Sequence, residues 1–143
     1  MRLLLATVLL TSLAFAQQKP LRERLLERAL QGEAEAQYDL AKNLETGRIG
    51  LKRDMVQAEH WYRKAAEQGD PFAQAGLAIL YQFGKGVAAD PVESLMWYTL
   101  AEAGTKGGDR ESIAEMLTNL SAEMTPAQRA EARKRAAEWK PRK

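Results

Sequence analysis

The sequence predicts an all-α fold in which antiparallel helix pairs stack into an α/α superhelical solenoid of about three repeats with capping helices. A set of small and apolar residues recurs after 37 positions, namely Ala36, Leu40, Leu44 and Gly47 as Ala73, Leu77, Tyr81 and Gly84. A second set recurs after 36 positions, namely Asp54, Trp61, Tyr62 and Ala65 as Asp90, Trp97, Tyr98 and Ala101. The apolar members are three or four residues apart, as on one helix face. Because two helices cannot bury both faces alone, such units stack.

About seven helices are predicted in chain order. The first lies near 20–31, and three antiparallel pairs follow at 33–46 with 54–68, 71–83 with 91–103 and 109–122 with 125–138. Three helix starts place an N-cap residue before a proline, at Asp70-Pro71, Asp90-Pro91 and Thr125-Pro126. Glu93 and Gln128 lie three residues after their caps, so we expect both to complete capping boxes.

The N-terminus has the layout of a secretory signal peptide. Arg2 precedes an apolar run that ends near Leu13, and Ala14-Phe15-Ala16 supplies small residues in an A-x-A pattern. We therefore expect a signal peptide over residues 1–16, cleavage between Ala16 and Gln17, and a periplasmic or secreted mature protein. The run is shorter than the roughly 20 apolar residues that cross a bilayer, so an uncleaved anchor is the second alternative.

The composition excludes several classes of chemistry. With 21 basic and 19 acidic residues, the total charge gives no indication of a nucleic-acid partner. The absence of cysteine excludes thiol catalysis and thiolate metal sites. His60 is the only histidine and a poor metal ligand. The glycine-lysine-glycine at 84–86 follows a helix and lacks the Lys-Ser/Thr of a phosphate-binding loop. We expect no enzymatic activity, no cofactor, no metal site and no catalytic residue.

The string W-Y-R-K-A-A-E-Q-G at 61–69 and the pattern A-x-x-x-L-x-x-x-Y/L-x-x-G…D…W-Y-x-x-A resemble the Sel-one-like repeat (SLR) family of the tetratricopeptide superfamily. The resemblance covers residues 32 to about 141 and implies a protein-binding superhelix without catalytic apparatus. The corresponding divisions are an N-terminal capping helix at 17–31, repeats at 32–68 and 69–106, and a degenerate C-terminal repeat or cap with a basic tail at 107–143. The first repeat departs from the usual Gly-x-Gly-Val at Gly47-Arg48-Ile49-Gly50-Leu51, and the third lacks the Trp-Tyr pair.

The helix at 71–83 carries a second apolar stripe, which favours either burial on all sides or contact with a partner. In the tetratricopeptide arrangement, the first helix of each pair lines the concave face. That register predicts a partner groove with an acidic rim that accepts a helix or an extended peptide. The stripe consists of Phe72, Ala75, Ile79 and Phe83, flanked by Glu35, Tyr38, Lys42 and Glu45 on one side and by Glu111 and Thr118 on the other.

These patterns favour an exported adaptor that binds a protein or peptide. The alternative is a cell-envelope factor whose basic C-terminal helix, from Arg129 to Lys143, attaches to anionic glycan or lipid. A small hydrolase is the least favoured function, because no nucleophile and base pattern is present. Three units make a short solenoid, so a dimer and docking onto a larger repeat protein are further alternatives.

Overall fold

The computed structural model describes residues 19–142, and these form seven helices and no strand. The helices are α1 (Leu21–Leu30), α2 (Ala34–Thr46), α3 (Met55–Glu67), α4 (Pro71–Phe83), α5 (Pro91–Gly104), α6 (Gly107–Glu123) and α7 (Pro126–Glu138). The predicted all-α class is confirmed, and no predicted helix bound is displaced by more than two residues. The predicted signal peptide, its cleavage site and Lys143 lie outside the described residues. None of the described helices is both long and apolar enough to cross a membrane.

The helix starts are fixed by side-chain caps. The carboxylate of Asp54 accepts from the backbone N–H of Gln57 at 3.0 Å, and that of Asp70 accepts from Ala73 at 2.7 Å. Thr125 and Gln128 form the predicted capping box, with reciprocal bonds of 3.2 and 2.9 Å. These local bonds explain why the boundaries could be read from the sequence.

The second expected capping box, at Asp90, was wrong. Asp90 accepts from the backbone N–H groups of Val92 and Glu93, both at 3.0 Å. The Glu93 carboxylate instead accepts from Trp97 Nε1 at 3.1 Å and lies 3.4 Å from Arg135 Nη1 on α7. The backbone N–H of Asp90, which a capping box would pair with Glu93, donates instead to the Tyr81 carbonyl at 3.0 Å.

The helices stack as pairs, α2 with α3 and α4 with α5, and α3 packs in turn on α4. The repeated aromatic residues fill the spaces between the helices, with Tyr98 fully buried and Tyr62 nearly so. Small residues allow α3 and α4 to pack closely. A β-carbon on Gly76 of α4 would lie only 2.8 Å from the ring of Tyr62 of α3. The fully buried alanines of the repeat, such as Ala65 and Ala101, have the same role.

Helix α1 is equivalent to the second helix of a unit, and no first helix precedes it within the described residues. Gln37 Nε2 donates to the Ala29 carbonyl at 3.0 Å, and 37 positions later Gln74 Nε2 donates to the Ala66 carbonyl at 3.2 Å. Ala29 at the end of α1 is therefore equivalent to Ala66 at the end of α3. The N-terminal cap predicted at 17–31 repeats the second half of a helix pair.

The third unit is not a helix pair like the other two, and the expected pairing of 109–122 with 125–138 was wrong. Helix α7 packs against α5 and not along α6. Its buried side consists of Ala132, together with the half-buried Ala136 and Trp139. The Trp139 ring meets Trp97 edge to face, with ring centroids 6.2 Å apart. These contacts draw α7 onto α5, which is thereby covered by α4, α6 and α7.

The first inter-helix loop contains a strained residue. Ile49 has φ of 51°, a left-handed conformation that costs a non-glycine residue about 1–2 kcal/mol. Its equivalent 37 positions later is Gly86, where an added β-carbon would lie 2.2 Å from the Met55 carbonyl oxygen at the start of α3. The Ile49 side chain has room, because it lines an open cleft beside Leu21 and Leu25 of α1.

Candidate partner groove

A cleft of about 270 Å³ opens on the face formed by α2, α4 and α6, the first helices of their units. We call it the partner groove. Its floor and two walls are lined by Phe72, Ala75, Gly76 and Ile79 of α4, by Tyr38, Lys42 and Glu45 of α2 with Tyr62 of α3, and by Asp109, Ser112, Ile113 and Met116 of α6.

The apolar strip of the groove is accessible to solvent. Phe72 is 45% exposed and Met116 is 40% exposed, although both are large apolar side chains. Ala75 and Ile79 between them are half-buried. The second stripe of α4 is therefore open to a partner and is not covered by the neighbouring units.

Six of the ten predicted groove residues line this cleft, namely Tyr38, Lys42, Glu45, Phe72, Ala75 and Ile79. The other four are exposed and lie outside its lining. Glu35 lies 4.0 Å from the guanidinium of Arg28, and Phe83 lies beneath the ammonium group of Lys85.

Glu111 and Thr118 point away from the groove, and the α6 wall comes from residues that the sequence analysis missed. Ile113 is buried and fixes the rotation of α6. At about 100° per residue, Glu111 and Thr118 fall roughly 140–160° from Ile113, whereas Met116 falls about 60° to its other side. Counting around the helix from a buried Ile113 would have identified Asp109, Ser112 and Met116.

An aromatic cluster holds the α2 wall in place. The ring of Tyr38 lies 6.0 Å from that of Tyr62 and 6.2 Å from that of Phe72, centroid to centroid. The Tyr62 hydroxyl donates to Glu45 Oε2 at 2.8 Å. Burial, reinforced by this bond to Glu45, raises the pKa of Tyr62, so the phenol stays protonated and keeps donating.

The rim of the groove is mainly acidic. Glu45 and Asp109 line it from opposite walls, and Lys42 is the single cation among its lining residues. A segment that enters the groove therefore meets an apolar floor between carboxylates.

The other residues that the sequence singled out, His60 and the glycines at 84–86, make packing contacts. His60 is exposed, and its ring lies 5.3 Å from that of Trp61. The described residues hold no cluster of three or more histidine, aspartate or glutamate side chains suited to a metal ion. In the loop at 84–86, Gly86 lies against the backbone at the start of α3, so the absence of its side chain permits this close contact.

Some cations of the basic C-terminal segment from Arg129 contact other parts of the chain. Arg129 Nη1 donates to the carbonyls of Ser121 and Met124, at 3.0 and 2.5 Å. Arg135 pairs with Glu131, and the backbone N–H of Arg142 donates to the Glu67 carbonyl at 2.7 Å. Attachment of this segment to an anionic envelope surface stays a prediction. The other cations of the segment would make that contact.

The comparisons with known proteins agree with this architecture. The model of the Sel1 repeat matches residues 34–70 and 71–104, which contain the two helix pairs. The chain belongs to the Sel1 repeat family. The Sel1 repeat fold indicates a scaffold for protein–protein interaction.

Two solved structures resemble this Sel1 repeat protein over most of its length. A protective antigen present in uropathogenic Escherichia coli strains, which displays an SLR fold, superposes with a TM-score of 0.76 at 28% identity, over 90% of this chain and 28% of its own. A Sel1 repeat protein from Oxalobacter formigenes superposes with a TM-score of 0.62 at 30% identity, over 82% of this chain and 48% of its own. The chain thus spans less than half the length of either. No curated protein matches the sequence.

Proposed function

We propose that this Sel1 repeat protein is a non-enzymatic adaptor that acts in the periplasm or outside the cell and holds a segment of a partner protein in the partner groove. The observation that carries the proposal is the exposure of Phe72 and Met116, which come from different units and line one cleft. Large apolar side chains that remain accessible in a groove are typical of protein interaction sites. The location rests on the expected signal peptide.

The groove favours an apolar partner segment with basic flanks. Ile79 and Phe72 supply an apolar floor, and Glu45 of α2 and Asp109 of α6 line the cleft beside it. Apolar burial would supply most of the affinity, and the carboxylates would steer approach and select against acidic segments. A helix with apolar residues at positions i, i+3 and i+4, or an extended peptide, fits this description.

We assign no reaction to the groove. Its one serine, Ser112, donates its hydroxyl to the Gly108 carbonyl of its own helix at 2.9 Å. A nucleophilic serine instead needs a base within hydrogen-bond reach. Turnover that depended on one groove side chain would revive the hydrolase alternative.

A peptide-display selection tests the proposal. Peptides selected on the exported chain should carry apolar residues flanked by lysine or arginine. They should lose about tenfold or more in affinity for a Phe72→Ser/Met116→Ser variant, because each truncated anchor contributes roughly 1 kcal/mol at partial burial.

Phe83→Ser is the matched control, because Phe83 is 62% exposed but lies outside the groove lining. The selected peptides should bind this control and the unchanged chain equally. Equal binding to all three proteins, or a loss confined to the control, would place the binding surface elsewhere.

A further inference from the structure

Within the described residues, α1 and α6 are complementary halves of a helix pair. In the complete unit, Ser94 Oγ of α5 donates to the Ala78 carbonyl of α4 at 2.8 Å, and the Tyr98 hydroxyl donates to Gln82 Oε1 at 2.8 Å. These bonds mark the face of a second helix that packs on its first helix. The equivalent of the α5 face lies on α1, and the equivalent of the α4 face lies on α6.

At the N-terminal end, α1 is a second helix without a first helix in the described part of the chain. Leu21 stands 37 positions before Ala58, and Ala58 stands 36 positions before Ser94. Ala58 and Ser94 are completely buried, whereas Leu21 is 57% exposed. Leu21 lines an open cleft of about 360 Å³ together with Arg24, Arg28 and one acidic residue, Asp39 of α2. That cleft lies where a first helix would pack on α1.

At the other end of the described residues, α6 is a first helix on which no second helix packs. Ala114 and Thr118 stand 36 positions after Ala78 and Gln82, which receive α5 in the complete unit. Ala78 is completely buried, but Ala114 is only half-buried and Thr118 is exposed. The following helix packs on α5 and leaves this face open. The face points away from the partner groove.

The two open faces carry opposite charge. Helix α1 contains three arginines and two glutamates, and Lys19 precedes it. Helix α6 contains four acidic residues against Arg110 alone, and Glu111 and Glu115 flank its open face. Charge complementarity of this kind favours the contact and fixes its orientation.

We propose that copies of this chain associate head to tail, with α1 of one copy packed on α6 of the next. The joint would bury Leu21 against Ala114 and bring Arg24 to the carboxylates beside Thr118. It would complete a helix pair by the stacking already used inside each copy. Such a contact joins two different surfaces, so it extends to a chain of copies or closes a ring. The inference does not rest on the partner groove.

The test uses the exported chain, its N-terminus read by mass spectrometry, in analytical ultracentrifugation up to about 1 mM. Its average mass should rise with concentration, and added salt should weaken the association. Leu21→Glu blocks the α1 face, and Thr118→Arg blocks the α6 face. Each variant alone should be monomeric, and an equimolar mixture should form dimers, since one intact face remains on each copy.

Leu30→Glu is the control. Leu30 is the same residue type, is also exposed, and lies nine positions further along α1 on the opposite side of the helix. It should associate like the unchanged chain. The proposal is overturned if the unchanged chain is monomeric or if the mixture stays monomeric. It is also overturned if either blocked variant associates alone. Dimers of Thr118→Arg alone would indicate contact between two α1 helices.

Discussion

Substitution of Gly86 by alanine tests the stacking of one unit on the next. Gly86 has φ of 70°, and a β-carbon there would lie 2.2 Å from the Met55 carbonyl oxygen and 2.9 Å from Val56 N. These are backbone atoms in the first turn of α3, so no side chain can rotate to relieve the overlap. Either the loop or the start of α3 must move.

The magnitude follows from two contributions. A left-handed conformation costs alanine about 1–2 kcal/mol relative to glycine. Forcing an extra carbon into a packed contact adds about 1–3 kcal/mol. Gly86→Ala should therefore lower the free energy of unfolding by about 2–5 kcal/mol.

Gly50→Ala is the matched control. Gly50 has nearly the same φ, 74°, but the nearest atom to its β-carbon would be the flexible guanidinium of Arg22 at 3.5 Å. This variant should lose only the conformational contribution, about 1–2 kcal/mol. The difference between the two variants isolates the contact with α3.

The assay is urea unfolding of the exported chain, followed by far-UV circular dichroism and by tryptophan fluorescence. Coincident curves are needed, because repeat proteins can lose cooperativity. Equal losses for Gly86→Ala and Gly50→Ala, within about 0.5 kcal/mol, would refute the close packing of this loop on α3.

Three further predictions concern other contacts between units. Gln74→Ala removes the buried bond to the Ala66 carbonyl and should cost about 1–3 kcal/mol in the same unfolding assay; a loss below about 0.5 kcal/mol would deny that bond a role. Burial raises the pKa of Tyr98 to about 12 from its ordinary 10.0, so the native state keeps a proton that the unfolded state releases. Stability should therefore be intact below pH 10 and fall as the pH rises towards 12, and Tyr98→Phe should reduce that slope; an unchanged slope would contradict the assignment. Trp139→Ala should cost about 1–3 kcal/mol through lost packing on Trp97, less than a fully buried tryptophan, and should release α7 to faster hydrogen exchange than α2; uniform exchange would count against the docking of α7 on α5.

The helices and their stacking could be predicted because the signals are local or periodic. Asp70 and Thr125 cap the helices that follow them, and Gly47 and Gly84 end α2 and α4 in left-handed conformations. The repeat itself then identified the buried positions. No long-range information was needed for either conclusion.

The equivalence of α1 to the second helix of a unit was also present in the sequence. Gln31-Gly32 precedes Gln68-Gly69 by the same 37 residues that separate Gln37 from Gln74. The predicted period began at Ala36, so this continuation into α1 was not used. Extending a repeat beyond its first clear match would have found it.

The arrangement at the C-terminal end could not be predicted from local signals. The sequence places Thr125 at a helix start but does not say which neighbour α7 will contact. That choice depends on Trp139, Arg135 and Glu93, which lie far apart in sequence and meet only in the folded chain. The rotation of α6 about its axis, which decides the residues of the second groove wall, likewise depends on the packing of Ile113 into the core.

Site-specific photo-crosslinking in the producing cell tests the proposed adaptor function most directly. A crosslinking residue at Ala75 reports from the partner groove, and one at the exposed Ala130 of α7 reports from outside it. We expect one adduct of defined mass at Ala75, absent at Ala130 and lost when Phe72→Ser is added. No adduct at Ala75, or the same adducts at both positions, would contradict binding in the groove.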